Sequence, residues 1–239
     1  MRFWEIDCAR GIAITMMVLF HLLFDLNYLG IIEVSLYTGF WGLFQKATAG
    51  LFLFLTGVVL TISYNRNTEN YIQKFLKRGA TVFAVGIGIT IVTALLFPNE
   101  FIYFGILHLI GVSIILSIPV AKGKILPFVA GIFLIALPQL MNIALFSNPL
   151  FVWTGLGMPW RTFDYFPVIP WFGVILFGIS FGNVFYEKGI AKFKIVMPEI
   201  PGIRILAELG RKSLLIYLVH QPILFVLIFT AITLLGRGN

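Results

Sequence analysis

Asp7, Arg10, His21 and Asp25 combine residue types that can do chemistry with a spacing that brings them together. Successive residues of an α-helix turn by about 100°, so the step from Arg10 to His21 returns almost to the same face. Asp25 lies about one turn beyond His21, and Asp7 a little under one turn before Arg10. All four then share one stripe. His21 and Asp25 stand at i and i+4, where side chains can meet. A carboxylate beside an imidazole fixes its tautomer and stabilises the imidazolium, which is the base-and-orienter part of an acid–base site. The same spacing equally suits a structural His–Asp pair that ties two helices together. Arg10 marks one end of the stripe, and His21 lies about 16 Å further along the axis.

Other polar groups interrupt apolar segments. His108 is expected at a depth near that of His21, where the two could face one cavity. Taken alone, His108 reads better as an interhelical hydrogen bond. Lys46, beside Gln45, could be a counter-ion to Asp25, a ligand for an anion, or a side chain that snorkels to the interface. His220 precedes Gln221 and Pro222. It is expected nearer the cytoplasm, bonding backbone freed by the proline. Three histidines raise the question of zinc, but their unequal depths weigh against it, and no metal is expected. Glu5 and Asp7 complement a helix N-terminus, with Asp7 pairing with Arg10.

The elements that position these groups follow from composition. The chain has 239 residues, 59% hydrophobic and only 11% charged. Soluble domains carry about 25% charged residues, so lipid must be the solvent for most of this surface. A bilayer core needs roughly 20 apolar residues in a helix. Seven segments qualify: 8–29, 40–63, 77–97, 101–120, 124–146, 168–186 and 213–235. Their runs are too continuous for the alternating strands of a membrane barrel. The expectation is therefore an all-α transmembrane bundle of about seven spans, forming one domain over 1–239. The Ile203–Leu209 stretch suits an interfacial helix or an early start to the last span. The one cysteine, Cys8, cannot form an internal disulfide. The start of the chain lacks a cleavable-signal pattern.

Basic residues orient the bundle. Arg2, Arg66, Lys74, Lys77, Arg78, Lys122, Lys124, Lys188, Lys192, Lys194, Arg204, Arg211 and Lys212 fall on one side, and only Arg161 and Arg237 on the other. Positive charge marks the cytoplasmic side. The N-terminus is expected inside and the C-terminus outside, in a multi-pass protein of the cell membrane. The net charge of +7 then reads as a topology signal, and nucleic acid is not an expected partner.

The Glu5–Ala13 segment, with Arg10 followed ten residues on by His21, resembles the first helix of the acyltransferase-3 membrane acyltransferases. Together with Ser63–Arg66, Tyr103–His108 and Leu209–Pro222, the chain more closely resembles the catalytic domain of the heparan-α-glucosaminide N-acetyltransferase family, in compact prokaryotic form. Relative to the lysosomal enzyme of that family, it is expected to be shorter, with fewer spans and without an N-terminal lumenal domain. It has His21 where that enzyme's helix has an asparagine. The resemblance implies transfer of an acetyl (acyl) group from cytoplasmic acyl-CoA to an amine or hydroxyl of a sugar-like acceptor outside. On that reading Arg10, Arg66, Arg211 and Lys212 bind the coenzyme A phosphates, since guanidinium forks match phosphate oxygens. His21 is the general base and Asp25 orients it. His108 binds the acceptor or the developing oxyanion, Lys46 an anionic group, and Trp160, Arg161, Asp164 and Tyr165 a sugar. Direct transfer and an acetyl-histidine intermediate both remain open, as does a homodimer. The alternative class is a transporter or flippase with a buried Arg/His/Asp ion path. A retinal protein is excluded because no lysine lies within the last helix.

Overall fold

Continuous apolar sequence with no alternation folds here into helices and almost nothing else. The computed structural model describes residues 3–66, 68–140, 148–186, 190–193, 196 and 198–234. Among these are eight α-helices: α1 (Trp4–Tyr28), α2 (Gly39–Arg66), α3 (Tyr71–Leu96), α4 (Ile106–Leu116), α5 (Ile125–Leu140), α6 (Val168–Phe185), α7 (Pro201–Arg211) and α8 (Ser213–Leu234). Short 3₁₀ turns occupy Ile118–Val120 and Pro149–Thr154. The β pairing among the described residues is an isolated bridge between Phe104 and Tyr165. Helices α1, α2, α3, α6 and α8 are long and apolar enough to cross a membrane, and α4 and α5 are apolar but shorter. Arg2, Lys188, Lys194, Arg237 and residues 141–146 of the expected fifth span lie outside the described residues.

Two boundaries differ from expectation for identifiable reasons. The third helix starts at Tyr71 and not at 77, so Lys74, Lys77 and Arg78 ride on exposed first turns of α3. A helix does not have to end where lipid does. The fourth segment, expected over 101–120, is helical only over Ile106–Leu116. Before it, Phe163 N–H donates to Glu100 O and Phe166 N–H to Phe104 O, at 3.1 Å each. That extended pairing removes residues 101–104 from the helix. After it, Pro119 disfavours α geometry in its neighbour, and the chain tightens to a 3₁₀ turn.

The chain divides into two compact units. The first joins Met1–Phe52 with Ile195–Asn239, the two ends of the sequence. Here α7 is a helix in its own right, amphipathic, with Ala207 and Gly210 buried and Arg204, Ile205 and Glu208 exposed. A Cβ on Gly11 would collide with the Leu206 carbonyl, and one on Gly210 with the Asp7 carbonyl. Small residues permit this backbone-to-backbone approach. Because Gly11 meets Leu206 and Gly210 meets Asp7, α7 runs antiparallel to α1. The chain then reverses into α8, whose buried residues His220, Leu224 and Ile228 recur every fourth position. That narrow stripe leaves the rest of α8 as exposed apolar surface, as lipid requires.

The second unit, Leu53–Lys194, packs the later part of α2 with α3 to α6. Gly57 and Gly178 bring α2 and α6 together in the same manner as Gly11 and Gly210. The Asn183 amide of α6 donates to Ala121 O at 2.9 Å and Gly123 O at 2.8 Å, and the Ser180 hydroxyl to Lys124 O at 2.6 Å. The turn between α4 and α5 is thereby tied to α6.

Candidate functional site

In the first unit, α1 and α8 carry a chain of polar side chains. His21 Nδ1 lies 2.7 Å from His220 Nε2 and 3.1 Å from Gln221 Oε1. The two imidazole centroids are 4.8 Å apart. His220 Nδ1 lies 2.7 Å from the Tyr217 carbonyl oxygen. The Gln221 amide nitrogen donates to Asp25 Oδ1 at 2.6 Å. Asp25 is fully buried, and its Oδ2 has no hydrogen-bond partner among the described residues. The sequence expectation of direct contact between His21 and Asp25 is corrected by this geometry. Both side chains turn towards α8, and the Gln221 amide inserts between them. It offers a donor to the carboxylate and an acceptor to the ring.

The expected depth of His220 is also corrected. It bonds a backbone carbonyl, as anticipated, but its other ring nitrogen meets His21. Counting from the start of its own span put it too near the cytoplasm. The span starts are not level, because α8 begins at Ser213, just after α7 has packed Gly210 against α1 between Asp7 and Gly11. Because the chain reverses after α7 and His220 then meets His21, α8 runs parallel to α1.

At the opposite end of α1, Arg211 reaches Asp7 Oδ2 at 3.4 Å and Glu208 Oε2 at 3.1 Å. Lys212 lies 3.6 Å from Glu208 Oε1. Asp7, expected to pair with Arg10, thus has a partner on α7. Arg10, Arg211 and Lys212 belong to this unit, whereas Arg66 ends α2 in the other. Lys46 is exposed on α2.

The second unit holds His108, Trp160, Arg161 and Asp164. His108 Nδ1 accepts from Gly105 N–H at 3.2 Å, and its Nε2 lies 3.3 Å from Thr90 Oγ1. The Thr90 hydroxyl donates to Ile102 O at 2.6 Å. His108 therefore caps the start of α4 and links it to α3. Asp164 Oδ2 accepts from Ile106 N–H at 2.9 Å, placing a carboxylate at the positive end of α4. Burial pushes this carboxyl up to about 6, and the Ile106 amide offsets part of that rise. Burial also pushes the Tyr165 hydroxyl up to about 12, and it donates to Val152 O at 2.7 Å. Arg161 pairs with Glu100 at 2.6 Å, with the guanidinium largely exposed. Trp160 packs on Tyr103 with ring centroids 4.0 Å apart.

Sequence spacing singled out His21 and Asp25 but assigned neither His220 nor Gln221 to the site. Both lie about 200 residues away from their partners, and no local pattern could have paired them. The buried stripe of α8, which starts at His220, shows only in the folded chain. Among the described residues no group of three or more His, Cys, Asp or Glu side chains forms a metal cluster.

Comparison with known proteins returns one informative result. The family model described as "Heparan-alpha-glucosaminide N-acetyltransferase, catalytic" matches residues 2–222. Neither a curated protein nor a solved structure matches the chain.

Proposed function

The chain belongs to the heparan-alpha-glucosaminide N-acetyltransferase catalytic family, and from that premise we propose that it transfers an acetyl (acyl) group from cytoplasmic acyl-CoA to an amine or hydroxyl of a sugar-like acceptor at the outer face of the cell membrane. The family is one of membrane acetyltransferases, which favours group transfer over transport. The observation that carries the reading is the His21 network, a hydrogen-bonded imidazole on the first span with basic residues at the opposite end of the same helix.

In this scheme Arg10, Arg211 and Lys212 hold the phosphates of the donor. Glu208 and Asp7 keep the Arg211 side chain extended until phosphate competes for it. His21 removes the proton of the acceptor as its nitrogen or oxygen attacks the thioester carbonyl. A new C–N or C–O bond forms, the C–S bond breaks, and the proton passes from His21 to the departing thiolate. Asp25 acts at one remove, by fixing which end of the Gln221 amide faces His21. An exposed aromatic ring and guanidinium suit the faces and hydroxyls of a sugar, which is the role proposed for Trp160 and Arg161. Asp164 and His108 support them by holding the start of α4.

Seven spans with a cytoplasmic N-terminus complete the proposal. The parallel course of α1 and α8 supports it, because both helices must then enter from the same side. The test is acetyl transfer from acetyl-CoA to amino-sugar acceptors by the full chain in liposomes. His21→Ala is expected to lose on the order of 10²–10⁴ in rate while still binding coenzyme A. A folded His21→Ala protein with the parent rate would sink the proposed base.

A further inference from the structure

We infer that His220 is a positioning residue that sets the tautomer of His21 and so leaves His21 Nε2 as the basic atom. This deepens the reading of His21 as the base and rests on it. The proton positions follow from the partners. The Tyr217 carbonyl oxygen can only accept, so His220 Nδ1, 2.7 Å away, carries a hydrogen. In a neutral ring, His220 Nε2 is then a lone pair. It faces His21 Nδ1 at 2.7 Å, so His21 Nδ1 carries the hydrogen of that bond.

The Gln221 amide favours the same tautomer through a longer contact, which does not hold it without His220. Its nitrogen donates to Asp25 Oδ1 at 2.6 Å. Its oxygen therefore faces His21 Nδ1 at 3.1 Å and needs a donor. Two acceptors converge on one ring nitrogen, and both require N–H. The remaining nitrogen of His21, Nε2, holds the lone pair that takes a proton. When it does so, Nδ1–H keeps the same two acceptors, so the imidazolium is met by groups already in place.

A neutral histidine suits this task within a membrane better than a carboxylate. A charge beside the ring would carry a large desolvation cost in an apolar span. Here the acidic group, Asp25, does not touch the ring and is kept one amide away. His220 itself is anchored through its Nδ1–H to the backbone of its own helix, so its ring cannot turn without losing that bond.

The test uses ¹⁵N-histidine labelling of the full chain in detergent, where only His21, His108 and His220 give signals. His21 is expected in the Nδ1–H form. His220→Leu should shift it towards Nε2–H and lower kcat roughly 10–100-fold, a loss typical of removing an orienting partner, with coenzyme A affinity unchanged. His220→Gln retains an acceptor for His21 and should restore both the tautomer and most of the rate. An Nε2–H form of His21 in the parent protein would overturn the inference, as would parent rate and tautomer in His220→Leu. Full activity of His21→Ala is a different outcome, because it would overturn the base assignment itself and this inference with it.

Discussion

Asp164 is pulled two ways. Scarce water disfavours its charge, while the Ile106 amide and the end of α4 favour it. Burial prevails, so the folded protein binds the Asp164 proton more tightly than the unfolded chain does. Its contribution to stability is therefore fully present below the ordinary carboxylate range and is lost as pH rises through about 6. Thermal unfolding in detergent should show this as a component of Tm that declines from about pH 4 to pH 6. Asp164→Asn keeps an acceptor for Ile106 but cannot ionise, and it should lack that component. An unchanged pH profile in the variant would reject the assignment. At this scale the sequence pointed to Asp164 as a sugar contact. Its role at the start of α4 depends on a loop folding back across about 60 residues.

At the scale of elements, the contact between α1 and α7 sets the register of the polar network. Leu206 O and Asp7 O occupy the space a side chain would need at Gly11 and Gly210. Any lateral shift of α7 also moves the start of α8, and with it His220 and Gln221. Gly11→Ala is therefore expected to cost about 1–3 kcal/mol, the usual range for forcing an extra methyl into a packed contact, and to reduce activity along with stability. Gly50→Ala, which would meet nothing within 4 Å, is the matched control and should leave Tm within a degree or two. Equal Tm values for the two variants would show that the α1–α7 contact has little weight. The Ile203–Leu209 stretch was legible as amphipathic. Its antiparallel course along α1 was not, because periodicity tells which face is apolar and not what covers it.

For the whole molecule the open quantity is how many helices cross. Since α1 and α8 run parallel, an odd number of crossings must separate them. Helices α2, α3 and α6 are long and apolar enough to supply three, and α4 and α5 then either both cross or both turn back. Lys122, in the turn between them, distinguishes these cases. In a Cys8→Ala background, a Lys122→Cys protein should resist a membrane-impermeant maleimide in intact cells and react after lysis. Asn99→Cys, between α3 and α4, should react in intact cells. Labelling of Lys122→Cys from outside would reduce the proposed seven spans to five.

Composition and apolar run length determined by themselves that this is a helical membrane protein, because a chain with so few charges has no other solvent. The ordered stretches from Glu5 to Pro222 carried the family as well. Helical periodicity put His21 and Asp25 on one face of α1, since that depends on nothing outside the helix. What stands against that face was decided only by tertiary structure. The His21–His220 bond and the Gln221 bridge to Asp25 need two helices from opposite ends of the chain, brought level by α7. Contacts between distant segments leave no periodicity in either one, so the partner of the stripe on α1 could be seen only once the chain had folded.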